Sequence, residues 1–258
     1  MDDVQTLLAQ LPVWGFGLVL VFSRVGAACM LLPGVGEAEL PGTVRLGFTM
    51  ALTALLLPTL EPLLPPVPAG PLVIGGMVMA EIATGLWLGW LARMVVQALP
   101  VAGQFVASAV GLASVLQPDP ELGAQSTALA RLFSLAASVA VLVSGLYALP
   151  LAALAGSYRL IPPGTLLPVA DSTAGVVAAV GEAFALAFRL AAPFVIAGLV
   201  WQAAMGLLAR LVPNLQVFAA SIPGQLLGGL ALLALLVGGT VTAWQDTLRE
   251  SLALLPGL

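Results

Sequence analysis

Apolar runs of about twenty residues recur from one end of this chain to the other, and each is long enough to cross a hydrocarbon core of roughly 30 Å. The first is Leu11–Leu32, the second Val44–Leu57, the longest Leu72–Leu99, and others follow to Trp244. Of the 258 residues, 60% are hydrophobic and 8% charged, too few charges to cover the surface of a water-soluble domain. In hydrocarbon every backbone amide and carbonyl must be satisfied internally, which leaves helices or closed barrels. The ten-residue alternation of an outer-membrane barrel is absent. The chain is therefore expected to be an all-α, polytopic helical membrane protein with kinked helices and helical hairpins.

Composition also excludes several chemistries. All eight basic residues are arginine, and the net charge of −4 comes from scattered acids, so no stripe for nucleic acid exists. The arginines sit singly near segment ends, which makes orientation by counting them weak. Met1-Asp2-Asp3 lacks the basic start of a cleaved signal peptide. With no histidine, His-based metal sites, Ser-His-Asp triads and histidine proton relays are ruled out. The lone Cys29 excludes an internal disulfide. Neither G-x-S-x-G, H-E-x-x-H, C-x-x-C nor a P-loop occurs. No catalytic residue, metal site or cofactor is expected.

The punctuation between the runs is proline, glycine and isolated charge. Arg24, inside the first run, either snorkels to an interface or pairs within a bundle. Pro33 to Pro41 makes a polar, proline-bracketed turn, and Arg45 opens the second run. Pro58 to Pro71, with Pro62, Pro65, Pro66 and Pro68 between, reads as an extended loop outside the membrane. Glu81, Gly85 and Gly89 fall at four-residue spacing on one helical face, where small residues let two helices approach closely. Glu81 in that setting needs a partner, a backbone donor or an arginine. Pro100 opens a fourth run reaching Leu116, and Ala128–Leu154 is a further span with Arg131 at its start. Tyr158 to Pro168 is the clearest boundary between halves. Gly224-x-x-x-Gly228 repeats the close-packing pattern, and Gln245–Leu258 is a short amphipathic tail.

The stretch Gly206–Gly229 stands between two long apolar runs and holds Arg210, Pro213, Asn214, Gln216, Phe218 and Pro223. It is either a polar turn joining two membrane helices or a hinged hairpin whose arginine and amides face a partner or a passage. The pattern R-x-x-P-x-x-x-V-F followed by a proline five residues on resembles the C-terminal signature of the FliR family, membrane proteins of the flagellar export apparatus with a similar injectisome counterpart. That family usually reads R-x-x-P-Q-hydrophobic-N-V-F; here the two amides are exchanged, Pro213-Asn214-Leu215-Gln216-Val217-Phe218.

Other positions match in order. Arg24, Pro33, Pro41 and Arg45 resemble the family's first segment. Ala102, Gly103, Gln104, Gly111, Leu112, Asp119, Pro120 and Arg131 follow its A-G-(E/Q), glycine-hydrophobic and Asp-Pro steps, while its glutamine falls on Ala109 and its Asn-Gly-His on Ser144-Gly145-Leu146. The resemblance covers roughly residues 10–250 and implies a FliP-like part over 1–165 joined to a FliQ-like hairpin over 166–258. It implies a closure loop near 112–125, carried by Leu112, Gln117, Pro118, Asp119, Pro120, Glu121 and Gln125. It implies that Arg210, Pro213, Asn214, Gln216, Phe218 and Pro223 serve hinge and assembly. FliP-like and FliQ-like subunits, FlhB-like and FlhA-like components and unfolded protein substrates are the implied partners, in the bacterial inner membrane. The implied function is a core subunit of the type III export gate; injectisome use and a stand-alone transporter are the alternatives.

Overall fold

The computed structural model describes residues 2–37, 39–111, 127–211 and 217–258, with side chains described except at 2–10, 169–171 and 217–220. Among the described residues the chain forms seven α-helices and no strand: α1 (Asp2–Cys29), α2 (Gly42–Leu60), α3 (Pro71–Val110), α4 (Ala128–Val143), α5 (Ala148–Leu160), α6 (Val169–Leu211) and α7 (Val217–Ala253). Five are long and apolar enough to cross a membrane, or up to six if the broken pair α4 and α5 crosses as one span. The all-helical membrane architecture expected from hydropathy is what the fold shows.

Boundaries differ where proline was read as a stop. Pro58 lies inside α2, Glu61–Leu63 forms a 3₁₀ turn, and Pro71 begins α3, so the extended segment is shorter than expected. Pro100 does not end a helix: α3 runs 40 residues through it. Pro193 and Pro223 are likewise carried inside α6 and α7. A proline removes one intrahelical bond, and a long helix whose other amides cannot turn to water keeps its course around that single loss. Conversely, the single span expected over Ala128–Leu154 is two helices. Gly145 takes φ +72, a left-handed conformation that other residues rarely adopt, and ends α4. The tail is helical to Ala253, with Leu248 and Leu252 fully buried.

The chain packs as two compact units, each drawing on both sides of the break at Tyr158–Pro168. The first comprises Met1–Met94, Val141–Ala179 and Glu250–Leu258. Its buried residues include Leu20, Val21, Val25 and Ala28 of α1, Ala80, Leu88 and Ala92 of α3, and Leu154 and Tyr158 of α5. Here Gly85 and Gly89 face α1. A β-carbon on Gly85 would run into the Arg24 carbonyl oxygen, and one on Gly89 would stand 2.8 Å from the Ala28 carbonyl. The second unit comprises Val95–Ala140 and Val180–Arg249. Its buried residues include Leu99, Ala102, Val106, Ala130, Phe133, Ala187, Ala191 and Phe194, and Phe105 stacks on Phe188 at 4.5 Å between centroids. A β-carbon on Gly103 would lie 3.0 Å from Ala130 Cα, so α3 and α4 also meet closely.

Large apolar side chains cover the outside as well, among them Leu55, Leu72, Leu199 and Leu235, as suits surfaces that face lipid or other apolar helices. Because Gly85 meets backbone rather than a yielding side chain, Gly85→Val is expected to destabilise the purified chain by about 2 kcal/mol or more. Gly75→Val, where nothing stands within 4 Å of the added carbon, should stay within about 0.5 kcal/mol of the parent. Unfolding midpoints in detergent titrated with SDS measure both.

Candidate functional site

The first unit buries an ion pair completely. Arg24 of α1 and Glu81 of α3 are both fully buried, and the guanidinium meets the carboxylate through two bonds, Nε to Oε2 at 2.7 Å and Nη2 to Oε1 at 3.0 Å. The guanidinium also donates elsewhere. Nη1 donates to Ser157 Oγ at 3.2 Å and Nη2 to the Ile161 carbonyl at 3.0 Å. The Gly164 amide donates to Glu81 Oε1 at 2.7 Å. The Tyr158 ring lies under the guanidinium at 4.1 Å, a cation–π contact strengthened by the burial of both groups. The open alternatives for Arg24 and Glu81 thus resolve onto each other, with a backbone donor added.

This arrangement ties α1 and α3 to the end of α5 and the turn after it. Gly164 has φ +80, and a β-carbon there would strike Met77, so the turn reaches the carboxylate only with glycine at that place. Charges so desolvated are tolerable only when paired and fully hydrogen-bonded. The arrangement is suited to fixing geometry and offers no free acid or base.

A second cluster holds the Pro33–Pro41 turn. Arg93 Nη1 donates to the carbonyls of Leu31 (3.4 Å) and Gly36 (3.3 Å), and Nη2 pairs with Glu37 Oε2 at 3.4 Å. Arg45 Nη2 donates to the Glu37 carbonyl at 2.8 Å. Pro33 is buried, and Pro41, at the N-cap of α2, is exposed. Glu37 also accepts from the Gly34 amide at 3.4 Å. Arg93 was missed, although the reasoning that demanded a partner for Glu81 applies equally to an arginine within an apolar run.

In the second unit, the end of α3 is gripped by α7. Gln225 Nε2 donates to the Ala109 carbonyl at 3.0 Å. Gly111 follows directly with φ +82, its α-carbon facing the Gln225 amide. A cavity of about 270 Å³ adjoins this contact, lined among others by Val110, Phe194, Gly198, Trp201 and Gln225. Small residues make it possible: a β-carbon on Gly198 would sit 2.6 Å from the Ala109 carbonyl oxygen, and one on Gly229 would strike the Val110 side chain. Gln225 lies two residues beyond Pro223 and carries no sequence signal beyond being polar in an apolar helix.

The other expected positions separate into two groups. Arg131 lies in the first turn of α4, whose start Thr127 caps by accepting from the Ala130 amide at 3.2 Å. Arg210 is exposed in the last turn of α6, Phe218 begins α7, and Pro223 is exposed within it. Leu112, Gln117, Pro118, Asp119, Pro120, Glu121 and Gln125 lie outside the described residues, as do Pro213, Asn214 and Gln216.

Removing one member of the buried pair strands the other. Arg24→Met is expected to cost about 3–5 kcal/mol of stability, and the double variant Arg24→Met/Glu81→Met less than either single change. A double-mutant cycle on SDS unfolding measures this; additive losses would contradict the coupling.

Comparison with known proteins places this architecture. The family model of the bacterial export proteins, family 1, matches residues 16–251. The flagellar biosynthetic protein FliR of Caulobacter vibrioides is 34% identical over 233 residues, spanning 90% of this chain and 93% of that protein. FliR of Bacillus subtilis is 28% identical over 210 residues, 80% of each chain. FliR of Escherichia coli is 25% identical over 214 residues, 83% of this chain and 81% of that one. A match that takes in α3, both clusters around it and most of α6 and α7 leaves one assignment: the chain belongs to the bacterial export proteins, family 1, the family of FliR.

Proposed function

We propose that this chain is a core subunit of the flagellar type III export gate, helping to form and close the channel through which unfolded proteins leave the cell. The observation that carries the reading is the alignment with Caulobacter vibrioides FliR over nearly the full length of both chains. The apolar exterior supports it: α7 in particular buries only 6% of its most apolar window within the chain. That surface suits contact with further helices, in this reading FliP-like and FliQ-like subunits, with FlhB-like and FlhA-like components beside them in the inner membrane. Residues 1–165 are the FliP-like part and 166–258 the FliQ-like hairpin. The role is structural and gating rather than catalytic.

Closure is assigned to residues 112–125, which leave α3 just after the Gln225–Ala109 bond. Assembly geometry is assigned to Arg210, Pro213 and their neighbours at the hairpin turn.

A strain lacking this gene should lose flagellar hook and filament proteins from its medium. Loss of host-directed effectors instead would mean injectisome use, and an unchanged profile would leave a lone transporter as the reading to test. Complementation separates the two assigned roles. A chain lacking 117–125 should make the assembled complex leak small ions, and unchanged conductance would sink the closure role. Arg210→Ala should lower the recovery of co-purified partner subunits, and a normal yield would remove it from assembly.

A further inference from the structure

A groove between α1, α2 and α3 in the first unit has no part in the reading above. It encloses about 490 Å³, within the range of small-molecule sites. Its walls are apolar, chiefly Phe22, Ala27, Met30, Leu46, Ile82 and Leu86. One charged side chain, Arg45, lines it. Arg45 Nη2 donates to the carbonyls of Glu37 (2.8 Å) and Leu40 (3.5 Å), while Nε is buried and has no hydrogen-bond partner. Among the described residues no carboxylate oxygen comes within 4.0 Å of this guanidinium. Glu37, half-buried in the turn, directs its carboxylate to Arg93 and the Gly34 amide, and Glu39 is exposed.

A partly buried cation without a counter-charge favours an anion beside it. Apolar walls next to that cation favour hydrocarbon. The two together select an amphiphile with an anionic head, and a guanidinium fork matches phosphate oxygens well. Position agrees with chemistry. Arg45 lies in the first turn of α2, a helix long and apolar enough to cross a membrane, just after the polar Pro33–Pro41 turn. Headgroups lie at that end of such a helix. We propose that this groove binds one anionic phospholipid, with its phosphate on Arg45 and an acyl chain along Phe22, Ala27 and Leu86.

Native mass spectrometry of the full chain in detergent, titrated with phosphatidylglycerol or with phosphatidylcholine of the same acyl chains, tests this. The parent chain should take up one phosphatidylglycerol in preference to phosphatidylcholine. Arg45→Gln should weaken phosphatidylglycerol binding about fivefold, the factor that goes with one basic side chain at an anionic headgroup, and abolish the preference. Gly26→Leu adds bulk to the groove from α1 while keeping Arg45, since a β-carbon there meets Thr49 Cγ2 at an ordinary 3.5 Å. It should lower the uptake of both lipids. Arg159→Gln, at an exposed arginine near the end of α5, should change nothing. Equal phosphatidylglycerol uptake by the parent, Arg45→Gln and Gly26→Leu would overturn the proposal. So would a dimer mass in the parent that both variants abolish, which would make the groove a contact between copies.

Discussion

The first unit depends on a charge pair that has no water to fall back on. Arg24 and Glu81 are both fully buried, and breaking such a pair leaves a charge that low-dielectric surroundings cannot screen. Every contact around it follows from that demand. Ser157, Ile161 and Gly164 supply the remaining hydrogen bonds, and Tyr158 covers the guanidinium face. An apolar contact could slide by a side chain's width at little cost. A bidentate pair with three further fixed partners cannot, so it sets the register of α1 against α3 and pins the turn after α5.

Glycine makes the pair reachable. Gly85 and Gly89, one and two turns beyond Glu81, bring α3 against the α1 backbone at Arg24 and Ala28. The same device recurs in the second unit, where Gly198 and Gly229 let α6 and α7 close on the end of α3. There Gln225 adds a neutral hydrogen bond to the Ala109 carbonyl. Small-residue packing thus serves both units, joined by a buried ion pair in the first and by the Gln225–Ala109 hydrogen bond in the second. The second unit holds the end of α3 from which the proposed closure loop departs.

The arginines of this chain illustrate three fates of a cation in apolar surroundings. Arg24 pairs with Glu81, Arg93 pairs with Glu37, and among the described residues Arg45 donates to backbone carbonyls without a carboxylate partner. Their sequence contexts are alike, each a lone arginine within or beside an apolar run. Only the positions of Glu81 and Glu37 in space distinguish them.

Hydropathy alone determined the class of this protein, because twenty apolar residues in a row have few options once the backbone must satisfy itself. The ordered motifs determined its family, since they are local strings that need no folding to be read. Proline was over-read as a stop at Pro100 and Pro58, and glycine under-read at Gly145. The reason is that the effect of a missing amide is settled by whether the surrounding helix can hold its course. Tertiary structure decided the partners. Arg24 and Glu81 are 57 residues apart and Gln225 and Ala109 are 116 apart, and no periodicity spans such distances. A sequence can announce that a buried charge needs a counterpart; which residue answers depends on how the helices cross.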